Sequence, residues 1–306
     1  MHEGIYHVPV LLDEVIDGLK IIPSGIYVDC TFGGGGHGLA ILKKLGSNGK
    51  LIAFDQDADV KENLPFDRRL IFVPHNFRHL HRFLRLHKIS KVNGILADLG
   101  ISSHQIDIAE RGFSTRFNAP IDMRMNQNEK LDAVKIISSY DETRLHKIFQ
   151  EYGEVSNSKT LAKTIVATRK SQLLNTITEF KSALYPIVKG NPEKYFAKVF
   201  QALRIEVNDE LGALKELLIQ VPETLEDGGR AVFITFHSLE DRIVKNFFRY
   251  GNFERQENDD LYGIPCETDL KVITKKPIIP SSREVKNNSR SRSAKLRIAE
   301  KKRVSE

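Results

Sequence analysis

Three aspartates in the first hundred residues each close a short apolar run: IYVD at 26–29, KLIAFD at 50–55 and GILAD at 94–98. Between the first two lie four consecutive glycines, Gly33 to Gly36, followed by His37. Carboxylates accept hydrogen bonds from hydroxyls and amines, and bare glycine backbone lets a ligand come close. Asp55 stands after Asp29 by the roughly 20 residues that a strand, a turn and a helix occupy, where an acid can accept both hydroxyls of a ribose. No Gly-Lys-Ser/Thr sequence follows the glycines, which argues against a nucleotide triphosphatase. A nucleoside without a polyphosphate fits better, and S-adenosylmethionine is the commonest such ligand.

The elements that must position these groups follow from the same text. Ile26 to Cys30 reads as a buried strand, and Leu39, Ile41, Leu42 and Leu45 have helical spacing, so the glycines form a strand-to-helix turn. Strands at 50–55, 70–73 and 94–98 complete a parallel sheet whose carboxyl edge gathers Asp29, Asp55 and Asp98, and a helix precedes it over 7–22. Residues 77–88 form a basic amphipathic helix; His75, His79, His81 and His87 around it lack the Cys or acid partners of a metal centre and read as surface histidines.

Residues 99–126 have no clean period and form a long loop, rich in glycine and aromatics. Its Arg111, Arg116 and Arg124 with Phe113 and Phe117 suggest function. Either phenylalanine stacks on a base, or both plug the core; the sequence leaves this open. Residues 132–195 read as helices without strand candidates, an inserted all-α domain with Lys147, Lys159, Lys163, Arg169 and Lys170 available to a polyanion. Phe200, Leu203, Val207, Leu211, Leu214 and Leu218 then predict one long helix returning to the core, followed by a strand at 230–236. Adjacent His237 and Ser238 lack a nucleophile elbow, and Ser238 with Asp241 reads as a helix cap.

The 306 residues carry a net charge of +6, unevenly. Residues 271–303 hold twelve Lys or Arg against Glu284 and Glu300, a local +10 that leaves the rest mildly acidic. A basic tail on an acidic body is a handle for nucleic acid, against a merely solvated tail or one whose Leu296 and Ile298 dock a final strand on the sheet. No apolar run nears the roughly 20 residues needed to span a bilayer. Cys30 and Cys266 have no metal or disulfide spacing and suggest a reducing, cytoplasmic setting.

Taken in order, HVPVLLDEV, DCTFGGGGHG, the Asp55 strand, ADLGISSHQID, ERGFS, DMRM, YGE, FQALRIEVNDEL, FHSLEDR and SRSAKLR resemble the bacterial small-subunit ribosomal RNA cytosine-N4 methyltransferases (the RsmH, formerly MraW, family), from about His7 to Glu300. The resemblance implies an α/β fold: a Rossmann-like S-adenosylmethionine-dependent methyltransferase core with an inserted all-α domain. It implies a core over 1–103, a loop and substrate-recognising helical insertion over 104–196, the rest of the core over 197–285 and a basic tail over 286–306. It also implies methylation of the N4 amine of one cytidine in the decoding region of 16S rRNA, free or in the small ribosomal subunit. By motif, Gly35, Gly36 and His37 would contact the cofactor, Asp55 its ribose, Phe77 its adenine, and Asp98 and Gln105 its methionine side, with Asp98 also the catalytic residue. No metal or membrane partner is implied, and the protein would be a monomer or homodimer. Gly38 departs from the family, which more often has Ser there. A non-catalytic assembly factor on the same scaffold, and a methyltransferase for small molecules or proteins, are the rival readings.

Overall fold

Successive residues of the central strands face opposite apolar layers. Val28, Ile52, Ile95 and Phe233 lie in one, and their neighbours Tyr27, Leu51, Leu96 and Val232 in the other. A sheet covered on both faces needs apolar side chains at consecutive positions, hence the unbroken runs. The computed structural model describes residues 9–254 and 268–303. Cys266 and His7 lie outside them.

The sheet has seven strands: β1 (Ile26–Asp29), β2 (Lys50–Phe54), β3 (Leu70–Val73), β4 (Val92–Asp98), β5 (Leu225–Thr235), β6 (Leu270–Val272) and β7 (Lys295–Lys301), in the order β3-β2-β1-β4-β5-β7-β6. The first five are parallel, and β7 runs antiparallel to β5 and β6. Helices α1 (Leu12–Leu19), α2 (Gly36–Lys44) and α3 (Leu80–Leu86) come first in the chain. Next are α4 (Ser103–Asp107), α5 (Ala133–Ser139), α6 (Glu142–Glu151), α7 (Ser158–Thr168), α8 (Ile177–Leu184) and α9 (Pro192–Asn208), then α10 (Glu210–Thr224), α11 (Ser238–Tyr250) and α12 (Ser282–Asn287). Apolar residues at helical spacing put α1 and α2 on one layer through Leu11, Val15, Leu19, Ile41 and Leu42, while α3, α10 and α11 cover the other through Leu84, Leu217, Val221, Val244 and Phe248. This is a doubly wound, Rossmann-like α/β architecture. Among the described residues no helix is long and apolar enough to cross a membrane.

The chain forms two compact units, Met1–Gly100 with Leu211–Glu306, and Ile101–Glu210. The second is helical and has its own apolar core, from Phe113 through Phe149, Phe180 and Phe196 to Val207.

Three expectations need correction. The stripe from Phe200 to Leu218 is two helices, because Asp209 takes a left-handed conformation (φ 47°) between α9 and α10. Of the basic tail read over 286–306, the described residues up to 303 do not hang free: β7 is inserted between β5 and β6, with Leu296, Ile298 and Ala299 buried and Arg297 and Lys295 paired with Asp241 of α11. The cap of α11 is His237, one residue earlier than read; its ring accepts from Glu240 N–H while Glu240 accepts from the backbone of Phe236.

Candidate active site

The strand order reverses between β1 and β4, whose carboxyl ends carry Asp29 and Asp98. In open α/β sheets this switch point is where ligands bind. The glycine loop is held beside it by Phe32 N–H, which donates to the Phe54 carbonyl at 3.0 Å, and by Gly33 N–H, which donates to Asp55 Oδ2 at 2.8 Å. Asp55 Oδ1 accepts from Asp57 N–H at 2.9 Å. Asp55 therefore fastens the loop to the end of β2, a task the sequence did not disclose. The Gln56 backbone also bonds this carboxylate, which still has acceptor capacity left for a hydroxyl.

The four glycines are not equivalent. Gly35 caps α2 at φ 80°, and a Cβ there would meet the Phe32 ring at 3.0 Å. A Cβ on Gly34 would have no heavy atom within 4 Å, so that position leaves the approach to the loop open. Gly36 packs against Pro9. At Gly38 a Cβ would lie 2.5 Å from Phe32 Cε2: the Phe32 ring fills the space that a serine would take.

His37 is buried at the start of α2. Its Nε2 lies 2.9 Å from the Val10 carbonyl, which only accepts, so Nε2 carries the proton and Nδ1 presents a lone pair. Burial lowers its pKa to about 4, keeping the ring neutral. Nδ1 faces Asp98 Oδ2 at 3.6 Å.

Asp98 and Asp29 are linked through one threonine. Asp98 N–H donates to Thr31 Oγ1 at 2.7 Å, and Thr31 N–H donates to Asp29 Oδ1 at 3.0 Å. The Asp98 side chain is 25% exposed overall, yet its Oδ1, like Asp29 Oδ2, is shut off from solvent without a hydrogen-bond partner. Burial, then the charges of Asp29 and Glu240, raises the Asp98 pKa to about 8; burial above all raises Asp29 to about 7 and Asp55 to about 6. Orphaned buried carboxylate oxygens are costly unless something cationic or hydrogen-donating meets them. A ligand bearing a sulfonium, an ammonium and a ribose diol has the chemistry these groups lack, so the residues present fit S-adenosylmethionine. Asp29, outside the site set read from the sequence, is buried and linked to Asp98 through Thr31; its place at the end of the first strand was the available signal.

Phe77 follows Asn76, whose Nδ2 donates to Gln56 Oε1 at 3.0 Å, so it sits just past the ends of β2 and β3, half-buried on the apolar layer. Gln105 lies in the helical unit, where its side chain accepts from Ser102 N–H and closes the capping box of α4. Of the neighbouring histidines, His75 stacks on Phe83 with centroids 4.7 Å apart.

Arg111 and Arg124, which the sequence suggested as functional, are committed to the fold of the helical unit. Arg111 is buried, its Nη2 donating to the carbonyls of Arg124 and Met125, and Arg124 is bidentate to Asp122. Arg169 likewise donates to the carbonyls of Ile137 and Tyr140 at the end of α5. Phe113 is buried in the core of that unit, whereas Phe117 is 36% exposed.

The MraW methylase family model matches residues 4–302. The chain is 51% identical over 301 residues, 98% of its length and 99% of the relative's, to Ribosomal RNA small subunit methyltransferase H of Bacteroides fragilis. It is 51% identical over 300 residues, 97% of its length and 98% of the relative's, to the protein of that name from Christiangramia forsetii. Among solved structures, an rRNA methylase from Streptococcus thermophilus is 13% identical with a TM-score of 0.39, covering 95% of this chain and 94% of that one. The chain therefore belongs to the MraW methylase family, whose members are S-adenosylmethionine-dependent methyltransferases.

Proposed function

We propose that the chain methylates the N4 exocyclic amine of a specific cytidine in the decoding region of 16S ribosomal RNA, with the free RNA or the small subunit as its partner. The observation that carries the substrate is end-to-end identity of about half of all residues to relatives named for the small-subunit ribosomal RNA. When bound, S-adenosylmethionine supplies an electrophilic methyl group. A cytosine amine is a weak nucleophile, since its lone pair is delocalised into the ring, so positioning and charge stabilisation must come from this chain.

Asp98 is the group for both tasks. Its carboxylate accepts a hydrogen bond from the amine, stabilises the positive charge that develops on nitrogen, and takes the proton released. A pKa of about 8 leaves the ligand-free side chain mostly protonated at neutral pH, and the positive charge of the donor, when bound, would favour the carboxylate that the reaction needs. His37 Nδ1, 3.6 Å away and carrying a lone pair, is the neighbouring acceptor that favours a proton on Asp98 Oδ2. Gly34 to Gly36 with Asp55 hold the nucleoside end, Phe77 lies along the adenine, and Gln105 supports the methionine end. The helical unit recognises the RNA.

Nucleoside analysis of 16S rRNA from cells lacking the protein is expected to show loss of one N4-methylcytidine, regained on complementation; an unchanged modification overturns the reading. Asp98→Asn keeps the size and removes the charge. It is expected to lower kcat by roughly 100-fold or more with little change in KM for either substrate. Rescue by saturating S-adenosylmethionine would make Asp98 a cofactor anchor only.

A further inference from the structure

The helical unit carries an open groove of about 560 Å³ between the loop at residues 115–118 and α8, at the scale of sites that take a small planar ligand. Phe117 stands in the loop wall and Tyr185, 61% exposed, just past the end of α8. Among the described residues the cations at the groove are Arg116 and Lys181, and no carboxylate lines it.

Each cation is held in place yet retains bonding capacity. Lys181 Nζ donates to the Thr115 carbonyl at 3.2 Å, one of three donors that an ammonium has. The Arg116 guanidinium lies 5.6 Å from the centre of the Phe117 ring, with its Nε donating to Ser114 Oγ. Its ion pair with Asp107 at 3.5 Å is exposed on both sides, the kind of surface contact worth little in water and readily exchanged for another anion. The walls are joined before any ligand arrives: Ile177 N–H donates to the Ala119 carbonyl, Ile121 N–H donates to the Asn175 carbonyl, and Pro120 bridges Thr176.

Unpacked aromatic faces beside fixed cations are the means by which proteins hold single-stranded nucleic acid, base on ring and phosphate on cation. We propose that this groove is a nucleotide subsite for single-stranded RNA within the helical unit: a base stacks on Phe117 or Tyr185 and its phosphate is met by Arg116 and Lys181. The proposal rests on the RNA substrate argued above and names where a flanking nucleotide is held.

The test is the double variant Phe117→Ala/Tyr185→Ala beside the conservative Phe117→Tyr/Tyr185→Phe. Anisotropy of a labelled twelve-nucleotide single-stranded RNA, tritiated methyl transfer to undermethylated small subunits, and calorimetry with S-adenosylmethionine are measured on each. The alanine pair is expected to weaken RNA binding by about ten-fold or more and to raise KM for subunits rather than lower kcat, with cofactor affinity unchanged and the conservative pair near wild type. Wild-type RNA affinity and KM in the alanine pair would overturn the subsite. So would a loss confined to subunits, which would assign the groove to a ribosomal protein. If the unaltered protein binds RNA but transfers no methyl group to subunits, the proposed function fails while the binding arm still decides the groove.

Discussion

Two Arg–Phe pairs stand five residues apart in one loop. Arg111 lies 5.9 Å from the Phe113 ring and Arg116 lies 5.6 Å from the Phe117 ring, so by residue type and contact the pairs are alike. The first is sealed in the helical unit's core, its guanidinium donating to two backbone carbonyls; the second faces water with a displaceable partner. Gly112, at φ 72° and with Pro120 O and Asp122 N 2.5 Å from where a Cβ would be, lets the chain fold the first pair inward. What separates a structural arginine from one able to bind a ligand is the supply of unpaired carbonyls within reach, and no motif spells that out.

Truncation separates the two pairs most visibly. Phe113→Ala is expected to lose about 3–5 kcal/mol of stability by urea unfolding, as for a fully buried phenylalanine, and Phe117→Ala to stay within about 0.5 kcal/mol. Equal losses would erase the distinction. The same division between groups committed to the fold and groups left for a ligand recurs at the sheet edge, where the buried acid of Asp98 costs stability at high pH. Its folded pKa of about 8 lies above the ordinary value of 3.8, so the folded state holds a proton that the unfolded chain releases, and stability falls as pH rises from about 4 through 8. Asp98→Asn is expected to raise the melting temperature of the ligand-free protein at pH 9, with the gain vanishing near pH 4; a pH-independent difference would contradict the buried acid.

Arg111→Met is expected to cost about 1–3 kcal/mol, since two carbonyls lose a charged donor, against nearly nothing for Arg116→Met. Gly35→Val, forced to φ 80°, is expected to destabilise by about 1–2 kcal/mol. Gly34→Val, with free space around its Cβ, should keep the melting temperature and weaken S-adenosylmethionine binding; unchanged calorimetric affinity would make the loop a connector. The smallest effect is on salt dependence: Arg116→Met is expected to reduce the slope of log affinity for RNA against log salt by about 1.

The sheet and its acids were legible because burial on both faces writes itself as consecutive apolar residues ending in a carboxylate, a local signal. Asp209 was not, because Val207 and Leu211 continue the apolar spacing across it and a left-handed aspartate leaves no trace in periodicity. β7 was left open by its charges: Leu296 and Ile298 could dock a final strand, but Lys295, Arg297, Glu300 and Lys301 suggest a solvated tail until Asp241, Arg230 and Asp269 are seen to pair with them. His237 was passed over as a cap because histidine seldom serves as one and Ser238 stood beside it. The carboxylates were visible as a row, but their orphaned oxygens and the threonine that couples two of them exist only in three dimensions.

The position of β7 divides the sheet into a half that pairs without it and a half that does not. Gly34 to Gly36, His37, Asp55, Phe77 and Asp98 all leave the ribosome within the first hundred residues, and the helical unit is one contiguous stretch that can close on its own contacts. Yet among the described strands β6 is joined to the sheet only through β7, β5 lacks one neighbour without it, and Glu284 of α12 accepts from Leu11 N–H just ahead of α1. The strands whose ends carry the carboxylates, β1, β2 and β4, pair with one another without β7, whereas the far side of the sheet, β5 to β6, is held together only by residues 295–301.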